Sequence, residues 1–166
     1  MPLRNLLSAE RIAVPVELHN RAAVLDMAAR LLAGPGADCS PHDLSGCTAL
    51  ARTILEALHK REELASTGIG HGVAVPHARI DGIGESRAAF LRLARPVDFN
   101  AADGEPVDLV LALVVPAHYV QQHLEFLAEV AEMFADPCYR AELRAATTIT
   151  LLRRRLLRGD SHASCA

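Results

Sequence analysis

Apolar residues recur at the spacing of one helix face in five stretches of the chain, and each stretch predicts a helix. The first has an N-cap residue, Asn20, and a stop signal in Gly34-Pro35-Gly36. The third ends where Asp136 is followed by Pro137, because the residue before a proline is pushed away from helical geometry. The five predicted helices are Asn20–Ala33, Leu50–Arg61, the stretch between Pro116 and Asp136, Tyr139–Ala146 and Ile149–Gly159.

Four stretches rich in β-branched and aliphatic residues predict strands. One of them is a near-continuous run of valine and leucine, which is typical of a central strand buried on both faces. Because helices stand before and after the group of strands, the pattern predicts a layered α/β domain. We expect the whole chain, 1–166, to form one domain with a frayed tail at 159–166. The predicted strands are Arg11–Leu18, Gly72–His77, Ala88–Ala94 and Val107–Val115.

Composition argues against several classes of protein. With 166 residues, 51% of them apolar, the chain matches one globular domain with a full core. A net charge of -3 and the absence of tryptophan give no basic, aromatic surface, so we expect no nucleic acid as a partner. The longest apolar run, Leu109–Pro116, is far shorter than the roughly 20 residues of a membrane-spanning helix. We expect a cytoplasmic protein with no direct membrane insertion.

The segment from Arg61 to Gly84 is the strongest candidate for a site of chemistry. Gly68, Gly70 and Gly72 alternate there after a Ser-Thr pair, and glycine lets a backbone take positive φ values and approach a ligand closely. Successive N–H groups in such a loop can bind an anion. The spacing fits neither the dinucleotide GxGxxG pattern nor the Walker motif, so a nucleotide cradle is disfavoured.

His77 ends one predicted strand directly after Val75-Pro76, so its imidazole should point out of a rigid strand end. Neutral imidazole has a free nitrogen near pH 7 that can attack a phosphoryl group or relay a proton. Arg79 stands two residues further on and shares a face with His77 if the strand continues. Arg61 ends the second predicted helix, and its planar guanidinium is suited to binding phosphate oxygens.

Cysteine and histidine spacings give little support for a metal site. The cysteines show no CxxC pairing and no histidine at zinc-ligand spacing, so we expect reduced thiols. His71, His118 and His123 are candidate ligands together with His77. However, His118 and His123 are five residues apart, a spacing that does not align them on one helix face. No HExxH motif is present either. We expect no metal and no cofactor; bound zinc, which elemental analysis would detect, would indicate a metal-dependent hydrolase instead. The cysteines stand at positions 39, 47, 138 and 165.

Taken together, these motifs resemble the enzyme IIA domains of the fructose and mannitol type in the bacterial phosphoenolpyruvate-dependent phosphotransferase system, and within them the nitrogen-regulatory branch. Residues 96–116 resemble the two central strands of that family, and residues 121–131 resemble its segment with a second active-site histidine. The resemblance spans most of the chain, with a best-matched core of about 10–150, and is clearest from 61 to 135. Its core is Arg61-Glu62, Ser66-Thr67, the glycine loop at 68–72 and Ala74-Val75-Pro76-His77.

Carried over position by position, the resemblance implies that His77 is phosphorylated at Nε2, with His123 and Arg61 beside it in the active site. Two positions depart from the family pattern. His71 stands where the nitrogen-regulatory branch often has asparagine, and Arg79 stands where lysine is usual. The resemblance also implies a loop that holds the phosphoryl group through hydroxyl and backbone N–H groups. The members of this loop are Ser66, Thr67, Gly68, Gly70 and Gly72.

The fold that the resemblance implies is one α/β domain with a mixed central β-sheet and helices on both faces. The implied function is a phosphoryl carrier that is loaded by a phosphocarrier protein, HPr or its nitrogen-branch counterpart, and regulates nitrogen- or potassium-type metabolism through its phosphorylation state. One alternative is an IIA component that passes phosphate to a IIB domain of a sugar transporter. Another is a non-phosphorylated binding module of the same fold. Apolar residues for docking of a partner are expected around the site. The candidates are Ile69, Val73, Val75, Ile80 and Ile83.

Overall fold

The computed structural model describes residues 3–34 and 48–158. Most of the predicted stop after the first helix and the predicted tail at 159–166 lie outside these ranges. Within them, one mixed β-sheet is covered by helices on both faces. The predicted fold class, a single α/β domain with a mixed central sheet, is confirmed.

Six strands in the described residues form one sheet: β1 (Leu7–Val16), β2 (Gly68–Gly70), β3 (Val73–Ala74), β4 (His77–Ile80), β5 (Arg87–Val97) and β6 (Val107–Pro116). Their spatial order is β1-β5-β6-β3-β2, and β4 also pairs with β6. β6 runs parallel to β3 and β4 and antiparallel to β5, whereas β1 runs parallel to β5. β1 begins four residues before its predicted start, because this edge strand buries too few residues to show an apolar pattern at that end.

Five α-helices and one short 3₁₀ turn, Leu3–Leu6, accompany the sheet in the described residues. Asn20 caps the first helix as predicted, since its side chain accepts a hydrogen bond of 2.8 Å from the Ala23 N–H. Asp136 both ends the third helix and caps the fourth, which therefore begins at Pro137, two residues before its predicted start. The helices are α1 (Arg21–Ala33), α2 (Ala49–Leu64), α3 (Val120–Ala135), α4 (Pro137–Ala145) and α5 (Ile149–Leu156).

The central strand β6 carries the core on both of its faces. Its odd-numbered residues from Leu109 to Val115 pack with apolar residues of α3, α4 and α5. Its even-numbered residues from Val110 to Val114 pack with apolar residues of α1 and α2. Successive side chains of a strand point to opposite faces, which is why the run of valine and leucine needs no polar alternation.

Pro76 divides the strand that the sequence predicts at Gly72–His77 into β3 and β4. Proline has no N–H to donate to a ladder, although its carbonyl still accepts a hydrogen bond of 2.9 Å from the Leu113 N–H. The register against β6 is the same before and after this break. The strand therefore resumes at His77 and continues to Ile80, three residues beyond its predicted end.

A tight turn at His71 and Gly72 joins β2 to β3. Both residues have positive φ, 56° and 76°, which is the geometry of a type I′ hairpin turn and favours asparagine and glycine. Asp103 accepts a hydrogen bond of 2.9 Å from the His71 N–H. Arg144 donates to the His71 carbonyl oxygen at 2.7 Å and also pairs with Asp108. His71 thus occupies a position set by turn geometry, and the turn is held from two sides.

Two further expectations concern composition. Cys138, in the first turn of α4, is disulfide-bonded, so the expectation of reduced thiols is wrong for this residue. The other three cysteines lie outside the described residues. Among the helices that the structure describes, none is long and apolar enough to cross a membrane.

The turn predicts a large cost for a side chain at Gly72. A Cβ there would lie 2.5 Å from Nη2 of Arg144 and 2.9 Å from Oδ1 of Asp108, at a φ that side chains disfavour. Gly72→Ala should lower the free energy of unfolding, measured by urea denaturation, by about 1–3 kcal/mol. Gly84→Ala is the matched control, because no atom lies within 4 Å of a Cβ at that position. Equal stabilities of the two variants would contradict this account of the turn.

Candidate active site

The imidazole of His77 is fixed at both of its nitrogens. Nδ1 lies 2.7 Å from the carbonyl oxygen of Val75, and Nε2 lies 3.2 Å from Nε of Arg61. A carbonyl oxygen only accepts hydrogen bonds, and a guanidinium only donates them. The proton of the neutral ring therefore belongs on Nδ1, and the lone pair belongs on Nε2.

Arg61 lies near the end of α2, a helix that packs against the sheet face opposite to the one that His77 occupies. Its side chain reaches past β4, which among the described strands pairs only with β6. Nη1 of the same guanidinium donates a hydrogen bond of 2.8 Å to the carbonyl oxygen of Ala65. The guanidinium is thus held by its own helix end while Nε faces His77.

His123 approaches from the other face of the sheet, on the first turn of α3. Its ring centroid lies 5.3 Å from that of His77, and the two ring planes are inclined by 48°. The residue is only 8% exposed. Its Nδ1 is buried, and the described residues offer it no hydrogen-bond partner. The structure thus brings together the three residues that the sequence predicts as catalytic.

Burial and neighbouring cations keep both histidines neutral near pH 7. Burial lowers the pKa of His77, the hydrogen bond to Val75 opposes this shift, and the positive charge of Arg61 adds to it. Burial also lowers the pKa of His123 to about 4, and the neighbouring His77, Arg79 and Arg61 act in the same direction. A site with two guanidinium groups and two neutral imidazoles favours binding of an anion, because the anion would interact favourably with each positive charge and could form hydrogen bonds with the rings.

Arg79 lies beside this site as well; the sequence pointed to it as a residue on the same strand face and as a position where the family usually has lysine. It lies two residues after His77 on β4, and the intervening Ala78 packs into the core on the α1 and α2 side. The guanidinium is exposed and donates a hydrogen bond of 3.3 Å to the Ala117 carbonyl oxygen, just before α3. Its positive charge lowers the pKa of His123. The period of two along a strand is the signal that identifies this residue.

The hydroxyl groups of the predicted phosphate-binding loop are engaged within the protein. Ser66 donates to the carbonyl oxygen of Phe99 at 2.5 Å and accepts from the Gly68 N–H at 3.1 Å. Thr67 donates both its N–H and its hydroxyl to the carboxylate of Glu62, at 3.1 Å and 2.5 Å. These groups stabilise the loop in the structure described. Binding of a phosphate by them stays a prediction and would require exchange of these bonds.

The three glycines of the loop are required by close packing and turn geometry. A Cβ at Gly68 would lie 2.8 Å from Cβ of Ala101. At Gly70, where φ is 93°, it would lie 3.1 Å from Oδ2 of Asp103. Gly72 forms the hairpin turn. The hydrogen bonds around the hairpin involve Asp103, Asp108 at the start of β6 and Arg144 of α4. The predicted role of the glycines in phosphate binding remains untested.

The histidines weighed as metal ligands lie in different settings. His71 is exposed at the hairpin turn, where its backbone carries the contacts described above. His118 is exposed and stacks edge-on against Tyr119, with ring centroids 4.4 Å apart. Within 3–34 and 48–158, no group of three or more histidine, cysteine or acidic residues is arranged to hold a metal ion.

The geometry defines a class of site. The neutral imidazole of His77 presents the lone pair of Nε2. Two guanidinium groups supply positive charge nearby. The second, buried imidazole has a ring nitrogen with no hydrogen-bond partner among the described residues. Such a site can accept an electrophile that carries several negatively charged oxygens.

The chain matches the model of a known family. The family model described as "Phosphoenolpyruvate-dependent sugar phosphotransferase system, EIIA 2" matches residues 5–158. The chain belongs to this family, whose members act in phosphoryl transfer, and the resemblance stated from the sequence is confirmed.

The relatives that match the chain include proteins named nitrogen regulatory protein. The one from Pseudomonas aeruginosa is 46% identical over 102 residues, which are 61% of this chain and 66% of that protein. The one from Bradyrhizobium diazoefficiens is 33% identical over 145 residues, which are 87% of this chain and 88% of that protein. The crystal structure of nitrogen regulatory protein IIA-Ntr from Neisseria meningitidis is 31% identical, with a TM-score of 0.79 over 92% of this chain and 97% of that one. These matches favour the regulatory branch of the family.

The low pKa of His123 predicts a specific pH dependence of stability. Its folded-state pKa of about 4 lies below the ordinary value of 6.5, so the unfolded chain binds the extra proton first. The stabilising effect is complete above pH 6.5 and is lost as the pH falls towards 4. Relative to His123→Gln, the wild type should lose roughly 2 kcal/mol of unfolding free energy between pH 7 and pH 4, a figure that allows for partial solvent screening. Parallel stability curves of the two proteins would contradict this assignment.

Proposed function

We propose that the chain is a phosphoryl carrier that accepts its phosphoryl group on Nε2 of His77 and regulates other proteins through its phosphorylation state. The observation that carries the proposal is the pair of hydrogen bonds at His77. With Nδ1 bound to the Val75 carbonyl oxygen, Nε2 is the nitrogen with a free lone pair, and it faces Arg61. Family membership supplies phosphoryl transfer as the chemistry.

In the proposed transfer step, His77 is the nucleophile. The Nε2 lone pair attacks phosphorus, the bond from phosphorus to the donor's histidine nitrogen breaks, and that nitrogen keeps the electron pair. The Nδ1 proton of His77 stays in place, so the phosphorylated ring carries a positive charge that the Val75 carbonyl oxygen stabilises. A positively charged ring is also a good leaving group, which suits a protein that must pass the phosphoryl group on.

The surrounding cations stabilise the transferring group. Phosphoryl transfer depends mainly on alignment and on neutralising charge on three equatorial oxygens. In this proposal Arg61 moves from Nε2 to one of these oxygens, and Arg79 adds a second positive charge. His123 donates a hydrogen bond, and the incoming negative charge raises its pKa so that it can take up a proton. Loss of one such donor commonly slows a reaction on the order of 10²-fold.

The proposed donor is another protein, a phosphocarrier of the HPr type or its nitrogen-branch counterpart. The relatives named nitrogen regulatory protein support a regulatory role, with nitrogen- or potassium-type metabolism as the proposed target. A cytoplasmic location belongs to the same proposal. Transfer to a IIB domain of a sugar transporter would use the same step with a different acceptor. A binding module without phosphorylation would have no use for the lone pair that the site presents.

Protein-to-protein transfer needs an apolar surface around His77, and we propose that exposed apolar residues on and near the elements that carry the site form it. Leu64 is the last residue of α2, three positions after Arg61, and is 83% exposed. Leu124 is the next residue after His123 on α3 and is 56% exposed. We call the five residues of this surface the apolar collar. Its members are Leu64, Ile69, Tyr119, Val120 and Leu124.

The apolar collar differs from the set of apolar docking residues expected from the sequence. Of the predicted members, Ile69 is exposed and Ile83 is half-buried. Val73 on β3, Ile80 on β4 and Val75 in the break between these strands are buried in the core, because this part of the sheet is covered on both faces. The apolar residues of helix ends, not those of the strand around His77, are therefore available to a partner.

The proposed phosphorylation predicts a defined change in mass. Incubation with phosphoenolpyruvate, enzyme I and the phosphocarrier protein should add one acid-labile phosphoryl group to the intact wild type and none to His77→Ala. His123→Ala should still be phosphorylated, on the order of 10²-fold more slowly. An unchanged mass of the wild type would overturn the proposed function, and wild-type rates in His123→Ala would remove the role given to His123.

The apolar collar predicts a selective effect on the donor protein. Leu124→Ser should raise the KM for the phosphocarrier about tenfold and leave kcat nearly unchanged, because truncating a central apolar contact of an interface costs more than about 1 kcal/mol. Ile149→Ser is the matched control, since Ile149 is 46% exposed and begins α5, which packs against β1 at the far edge of the sheet. The same KM in both variants would count against the apolar collar.

A further inference from the structure

Glu62 is a buried acidic residue that the transfer step does not use. It follows Arg61 on α2, is only 5% exposed, and lies in the same short segment as the Ser-Thr pair. A buried carboxylate is costly unless it is paired or fully hydrogen-bonded. Nη1 of Arg21 is 3.8 Å away, which is long for an ion pair. The main partners of Glu62 are therefore the two donors of Thr67.

Thr67 is held by Glu62 at two points. Oε1 of the carboxylate accepts the Thr67 N–H at 3.1 Å, and Oε2 accepts the Thr67 hydroxyl at 2.5 Å. Two bonds to one carboxylate fix both the backbone and the side chain of a residue that is 4% exposed. The Thr67 carbonyl group is thereby fixed in direction as well.

The fixed carbonyl of Thr67 in turn fixes Val75. It accepts a hydrogen bond of 2.9 Å from the Val75 N–H. Val75 falls in the break between β3 and β4, where Pro76 interrupts the ladder, so Thr67 provides the tie for its backbone. The carbonyl oxygen of Val75 is the group that accepts the Nδ1 proton of His77.

We propose that Glu62 and Thr67 are positioning residues that act through the Val75 backbone to hold His77 in the tautomer with its proton on Nδ1. Two consecutive residues of α2 then determine the hydrogen-bond partners of both nitrogens of the His77 ring. Arg61 donates to Nε2, and Glu62 positions, through Thr67, the Val75 carbonyl oxygen that accepts from Nδ1. The link to transfer rests on the proposed function of His77. The tautomer itself is a property of the unphosphorylated protein and can be measured without any donor.

The test combines one isosteric and one conservative change at Thr67. Thr67→Val keeps the shape and removes the hydroxyl that Glu62 binds, whereas Thr67→Ser keeps the hydroxyl. Nitrogen-15 NMR of the full chain, labelled at histidine and held at pH 8, reports which ring nitrogen of His77 carries the proton. Wild type and Thr67→Ser should show the proton on Nδ1. Thr67→Val should show a mixture of the two tautomers.

Glu62→Gln is the second test, because an amide cannot accept both Thr67 donors as a carboxylate does. Glu63→Gln is its matched control, since Glu63 is the next residue of α2 and is exposed. Glu62→Gln should show the tautomer mixture and a kcat for phosphoryl transfer at least tenfold lower, with the KM for the phosphocarrier unchanged. Glu63→Gln should match the wild type in each respect.

Unchanged tautomers in Thr67→Val and Glu62→Gln would overturn the proposal, even if both variants were less stable or slower. If Glu62→Gln does not fold, the comparison of Thr67→Val with Thr67→Ser decides. Failure of the proposed function would appear differently. The wild type would then show the Nδ1 proton and the expected variant effects by NMR, but it would gain no mass with phosphoenolpyruvate and the phosphocarrier proteins.

Discussion

The hydrogen bond from Nδ1 of His77 to the carbonyl oxygen of Val75 is the constraint around which the site is organised. It exists because Pro76 separates β3 from β4, which leaves the Val75 carbonyl oxygen directed at the ring of the residue two positions later. The strand resumes in the same register, so the ring is attached to a backbone that the central strand β6 holds firmly. The free lone pair on Nε2 follows from this one bond.

The sheet also explains how residues distant in the sequence meet at His77. Arg61 comes from α2 on one face and His123 from α3 on the other. Burial, together with the neighbouring His77, Arg79 and Arg61, lowers the pKa of His123 to about 4. In the proposed function, phosphoryl transfer and proton uptake are coupled, since the negative charge that the site would receive favours the charged form of His123. The free energy of that coupling is available to change how the protein binds a target.

Much of this could be predicted from the sequence, and the failures have physical causes. Helical periodicity and the cap at Asn20 identified α1, and the unbroken apolar run identified β6. β2 was not predicted as a strand, because two of its three residues are glycines that only tertiary packing against Ala101 and Asp103 explains. The positioning role proposed for Glu62 had no signal in periodicity, since a buried glutamate on α2 looks like any polar residue of a helix. Ile69 was predicted as a member of the apolar collar, whereas the members on and beside the helices were missed because their exposure depends on where the helices begin and end.

The most direct test of this account concerns the nitrogen that carries the phosphoryl group. The protein, labelled with nitrogen-15 at histidine, is phosphorylated and examined by nitrogen-15 and phosphorus-31 NMR. We expect the phosphoryl group on Nε2 of His77 and a proton retained on Nδ1, as the bond to the Val75 carbonyl oxygen requires. A phosphoryl group on Nδ1, or on another histidine, would contradict the account.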